Sequence, residues 1–143
     1  MQFQRLGDRY QLRFESGEQV AEKLAKWLKA NNIGYATMTG LGAVKSATVS
    51  YWNSGKQTYE QHTLDEQLEV VSLIGNVAIK DGVPSTHIHV GLGRSDLFVV
   101  GGPFNDATVH PNLEIALQPE SDSVHRILDE SCGVYVMDLP ERP

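Results

Sequence analysis

Between Pro84 and Leu117 the chain reads PSTHIHVGLGRSDLFVVGGPFNDATVHPNLEIAL. Apolar residues recur at period two, glycines interrupt the runs, and a proline stands inside the last one. That pattern specifies strands and bends rather than helix. Side chains two apart on a strand share a face, so His87 and His89 point the same way while Ile88 turns toward a core. Two imidazoles on one face can give a metal two nitrogen ligands. They can also act as an acid/base pair near neutral pH, or stand as polar residues on a half-exposed strand. A zinc site takes at least three protein ligands, so the pair alone does not complete one. Gly101-Gly102 predicts a bend or a close backbone approach, and Asn105-Asp106 a turn. Pro111 cannot donate to a ladder, which predicts an edge or a bulge. Around it His110, Asn112 and Glu114 share one face, opposite Val109, Leu113, Ile115 and Leu117.

The preceding residues predict one helix among further strands. Tyr10–Phe14 alternates, with Leu12 and Phe14 inward. Ser16, followed three residues later by Gln19, has capping-box spacing and predicts the helix start. Val20, Leu24, Trp27 and Leu28 form its buried stripe; Lys23, Lys26 and Lys29 lie off it, and Gly34 ends it. Tyr35–Leu41 reads as a strand entering a tight Gly40-Leu41-Gly42 turn. Neither phosphate-loop pattern fits there, because Val44 precedes Lys45 and no third glycine follows. Val44–Trp52 and Gln57–His62 read as a hairpin, and Leu68–Ile74 as a central strand buried on both faces, extending past Gly75. Asp81-Gly82 is a hairpin turn leading into the histidine strand. Ser121–Asp129 reads as a short helix with Val124, Ile127 and Leu128 inward, and Val134–Met137 as a last strand.

The 143 residues suit a single domain spanning 1–143. A net charge of −6 argues against non-specific attraction to a phosphate backbone, though it leaves room for a local basic patch. One cysteine, Cys132, excludes an internal disulfide and fits a reducing compartment. The first residues hold no apolar signal core, and no apolar run reaches membrane-spanning length, so a cytoplasmic protein is expected.

The ordered segments GEQV, IGYATMTGLGAVKSATVSYW, EVVSLIGNVAIKDGVPSTHIHVGLG and VVGGPFNDATVHPNLEIAL resemble the PPC domain, named for plants and prokaryotes. The resemblance implies an α/β (α+β) fold with a largely antiparallel mixed sheet, one main helix packed on it, and assembly as a homotrimer. It also implies association with a protein partner or with itself. Plant relatives carry AT-hook segments that bind DNA, and stand-alone members are named DNA-binding by analogy. No such hook occurs here. In several prokaryotic members three histidines hold a metal ion, two of them matched by His87 and His89. The third follows the Gly-Gly turn, where this chain has Pro103. A zinc or other divalent ion would therefore need His110 or Glu114, or a residue of another subunit, to replace it.

These readings predict a homotrimer that binds a small ligand or protein partner in a cleft at His87 and His89, with Arg94, Asn105 and Glu114 also lining it. One alternative is a DNA-associated regulator using a basic surface built from Lys23, Lys26 and Lys29. Another is a weak metal-assisted or histidine-based enzyme. No Gly-x-Ser-x-Gly elbow or His-Glu-x-x-His motif marks a nucleophile or metal centre, so no catalytic residue is assigned.

Overall fold

The structure is a computed structural model that describes residues 1–140. Two long strands form its spine: β3 (Tyr35–Asn53, numbered in chain order) and β7 (Val99–Pro119), which run antiparallel side by side. Before β3 come β1 (Gln2–Leu6), β2 (Arg9–Glu15) and the helix α1 (Val20–Ala30). Between the two spine strands lie β4 (Thr58–Leu64), β5 (Leu68–Lys80) and β6 (Val83–Gly93). A hairpin of β8 (His125–Asp129) and β9 (Val134–Asp138) follows β7. The order is β1-β2-β7-β3-β5-β8-β9, with β4 on β3 and with β6 bridging β5 and β7. Because β3 pairs β5, β5 pairs β6, β6 pairs β7 and β7 pairs β3, the ladder closes a circuit. All these pairings are antiparallel except β5 with β8. Among the described residues the largely antiparallel sheet and its one helix are as expected, but the molecule is mostly sheet rather than a balanced α/β protein.

The core lies between α1 and the inward faces of the closed ladder. Val20, Leu24, Trp27 and Leu28 are buried as their spacing requires, with Leu12, Phe14, Leu113, Ile115 and Leu117 in the same cluster. Each fully buried aliphatic side chain of this kind stabilises the fold by about 1.5–3 kcal/mol relative to exposure. The helix starts differently from the capping-box reading. Gln19 is the N-cap and makes no side-chain cap bond. The cap comes from across the fold: the Asp106 carboxylate accepts from the amide of Ala21 at 2.9 Å. An acid at a helix N-terminus satisfies an orphan donor and opposes the helix dipole. Ser16 instead hydrogen-bonds His110 Nδ1 at 2.8 Å. At the other end α1 stops at Ala30, and Asn32, at φ +53°, takes a left-handed conformation just before Gly34.

Several expected turns are bulges inside long strands. Gly40-Leu41-Gly42 does not reverse the chain; β3 continues through it with a register shift against β5 and β7. Gly42 has φ +147°, and a Cβ there would lie 2.4 Å from the Asn112 carbonyl oxygen, so the glycine permits close approach of β3 and β7. Asn105-Asp106 likewise lies within β7, and Pro111 sits where the β3–β7 register shifts, as a bulge requires. The leading strand of β5 is buried on one face only in the single chain, since Val71 and Ile74 are 57% and 58% exposed. Ser121–Asp129 holds no helix; His125–Asp129 is strand, and Ile127 and Leu128 are both half exposed. β1 escapes the periodicity reading because every one of its residues is exposed.

Candidate functional site

The Asp81-Gly82 turn, at φ +52° and +78°, sets the register of the β5–β6 hairpin. That register places His87 opposite Asn76 and His89 opposite Ile74. Ile88 is buried between them, while both imidazoles are exposed on the outer face, as period two predicts. Their rings meet edge-on with centroids 5.3 Å apart. A cleft of about 330 Å³ lies beside them, lined also by Met38, Ile74, Gly75 and Asn76. Across the other ladder of β6, His89 is paired with Pro103.

His87 also lines a second cleft, about 520 Å³, which opens toward the β8–β9 hairpin. Arg126 Nη2 donates to Asn76 Oδ1 at 2.5 Å, and Lys80 Nζ lies 3.7 Å from the centroid of the Tyr135 ring. Partial removal of water by these neighbours lowers the His87 pKa although the ring remains solvent-accessible; the charges of Arg126 and His89 push it the same way. A neutral His87 can accept or donate through its ring nitrogens. Burial also lowers the Arg126 pKa, yet a guanidinium stays charged at any ordinary pH. Arg126, Lys80 and Tyr135 were not among the expected site residues. Lys80 and Tyr135 stand on segments that read as strand, with nothing local to bring them to His87, and the segment that holds Arg126 resembles a helix by spacing.

The other expected lining residues stand elsewhere. Arg94 Nε makes an ion pair with Glu66 at 3.2 Å beyond the histidines on β6. Asn105 accepts from Ser50 Oγ at 2.6 Å and braces β7 against β3. Glu114 is paired with Arg13 on β2 and with Leu41 on β3, and lines a separate cleft with Gln11 and Thr39. His110 is engaged by Ser16. Among the described residues no three histidine, cysteine or acidic side chains come together as a metal-binding group. Neither His110 nor Glu114 lines the cleft beside His87 and His89, so the donors of one chain do not fit a closed metal shell.

The sequence model of the Plants and Prokaryotes Conserved (PCC) domain matches residues 1–120. The chain belongs to this PCC family. No curated protein sequence matches it. Among solved structures, a metal-containing protein from Archaeoglobus fulgidus is 32% identical, with a TM-score of 0.85 over 96% of this chain and 98% of that one. A plant- and prokaryote-conserved (PPC) protein from Pyrococcus horikoshii is 28% identical, with a TM-score of 0.85 over 99% and 97% of the two chains. A candidate DNA-binding protein from Bacteroides thetaiotaomicron, 23% identical with a TM-score of 0.92 over 96% of each chain, shares the fold.

Other surfaces of this PCC domain are less suggestive. Lys23 pairs with Glu18 at 3.2 Å and Lys26 with Glu22, which offsets two of the three helix lysines. Cys132 lies in the β8–β9 turn, where its thiol donates to the Asp129 carbonyl oxygen. No helix among the described residues is long and apolar enough to cross a membrane.

Proposed function

We propose that this PCC-domain chain assembles as a homotrimer and binds a small ligand in the cleft beside His87 and His89. The observation that carries the reading is the edge-on pair of exposed imidazoles at a cleft whose remaining wall is Met38, Ile74, Gly75 and Asn76. Few polar groups converging on a partly apolar concavity is the usual composition of a ligand site. Assembly is favoured by the same outer face. Leu41, Val71 and Ile74 are 62%, 57% and 58% exposed there, and Ile74 is directly opposite His89. Apolar residues grouped on a sheet face gain by being covered, and a second copy is the commonest cover in a symmetric assembly.

Native mass spectrometry on untagged protein tests the assembly: a trimer mass is expected, and a monomer at micromolar concentration refutes it. A thermal-shift screen of small polar metabolites tests the site. Compounds that stabilise the wild type are expected to lose their effect in the His87→Ala/His89→Ala variant, which should remain folded because both rings are exposed. Retained shifts in that variant place the site elsewhere. Binding to DNA has weaker support, given the net charge of −6 and the paired helix lysines. Anisotropy with labelled DNA at low salt is expected to show no binding at micromolar protein.

A further inference from the structure

The cleft of about 520 Å³ between the end of the β5–β6 hairpin and the β8–β9 hairpin gathers two cations in an acidic chain. The chain carries 18 acidic and 12 basic side chains, yet among the described residues this cleft is lined by Lys80, Arg126 and His87 and by no carboxylate. Among the described residues neither Lys80 nor Arg126 takes part in an ion pair. Asn76 takes one Nη2 donor of Arg126 and fixes the direction of the group. A guanidinium has five donors in a planar fork, so most of its capacity for an acceptor is left. A partly buried cation without a counter-charge is costly, and an incoming anion removes that cost. Tyr59, Tyr135 and Met137 supply aromatic and thioether surface on the same walls. The volume falls within the range of ordinary small-molecule sites.

We infer that this cleft binds a small organic carboxylate, its anionic end on Arg126 and Lys80 and its apolar body against Tyr59 and Tyr135. This cleft is separate from the one beside His87 and His89; His87 lines both, His89 only the other, so the inference goes beyond the proposed ligand-binding reading and stands without it. An apolar body distinguishes the expected ligand from inorganic phosphate. Phosphate satisfies the cations and leaves the aromatic walls unused.

Isothermal titration of the full chain with benzoate, acetate and inorganic phosphate at low salt tests this. Benzoate is expected to bind at least tenfold more tightly than acetate or phosphate. Lys80→Gln and Arg126→Gln are each expected to weaken benzoate at least tenfold, with Arg126→Lys recovering part of the loss. His89→Ala should change it less than twofold. Because Arg126→Gln also removes the bond to Asn76, thermal unfolding is followed for each variant, and Lys80→Gln carries the test if Arg126→Gln does not fold. No benzoate binding up to millimolar concentration overturns the inference, as does phosphate binding more tightly than benzoate. Benzoate binding that survives Lys80→Gln but is lost in His89→Ala overturns it too, while leaving the His87–His89 cleft as a ligand site.

Discussion

His89 and Pro103 face each other across the β6–β7 ladder. Direct partners in an antiparallel pair project on the same face, so position 103 is where a third imidazole would join His87 and His89. The proline both withholds a ligand and lacks an amide for the ladder. Pro103→His is therefore expected to raise zinc affinity on the order of 100-fold over the wild type, since a third protein ligand completes the minimum of an open zinc site. Competition with a chromophoric chelator measures it, and the gain should vanish when His89→Ala is added. A Pro103→His protein that holds zinc no better than the wild type would show that the three side chains do not converge.

Gly75 holds the histidine strand close. It is the ladder partner of Ile88, and a Cβ at this position would lie 2.6 Å from the His87 carbonyl oxygen and 2.8 Å from Ile88 Cγ1. Backbone cannot yield as a flexible side-chain end can, so Gly75→Ala must push β6 away from β5. The expected cost is about 1–3 kcal/mol, as for other overpacked sites. Urea unfolding measures it. An unchanged midpoint would mean that the two strands can separate without loss.

The strand alternation, the helix stripe and the shared face of His87 and His89 were legible because each rests on local period, 3.6 or 2. What was illegible depends on distant partners. The cap of α1 comes from Asp106, more than eighty residues away, so the nearby Ser16 and Gln19 gave a false start site. Gly40-Leu41-Gly42 has the composition of a turn, but its glycines serve the approach of β7. Val124, Ile127 and Leu128 match a helical stripe, yet the segment is drawn into a hairpin by its pairing with β9. That misreading also hid Arg126. Arg94, Asn105 and Glu114 looked like site residues from their nearness to glycine turns in sequence, whereas the long β7 and the far end of β6 carry them to separate places.

His87 should titrate below the ordinary histidine value of 6.5, because partial burial, then Arg126, then His89 disfavour its charged form. Arg126→Gln removes one of these influences, and the His87 midpoint is expected to rise toward 6.5. The unfolded chain binds a proton at His87 more readily than the folded one, so the contribution of this residue is present above pH 6.5 and lost as pH falls through the folded midpoint. NMR of the imidazole ring protons reads the titration directly. A His87 midpoint that does not move in Arg126→Gln would show that the guanidinium is too well screened to act on it.

Glu18 provides a separate acid-sensitive contact at the start of α1. Burial alone would raise its pKa, but bonds from the N-terminal ammonium of Met1, the Glu15 amide and Lys23 outweigh it and hold the group at about 2, against 4.5 ordinarily. Its own backbone carbonyl accepts from the Val109 amide at 3.0 Å and ties the helix start to β7, while the carboxylate holds the N-terminus and the end of β2 beside it. A folded pKa below the unfolded one means that stability is fully present above about pH 4.5 and is lost as pH falls toward 2. Glu18→Gln is expected to cost about 1–2 kcal/mol at pH 7, allowing for the solvent that still reaches the group. The gap should narrow as pH falls below about 4.5 and be smallest near pH 2, where the wild-type carboxyl is becoming neutral as well. Thermal unfolding of both proteins between pH 2 and 7 checks this. A gap that stays constant over that range would assign the loss to packing or hydrogen bonding of the side chain rather than to its charge.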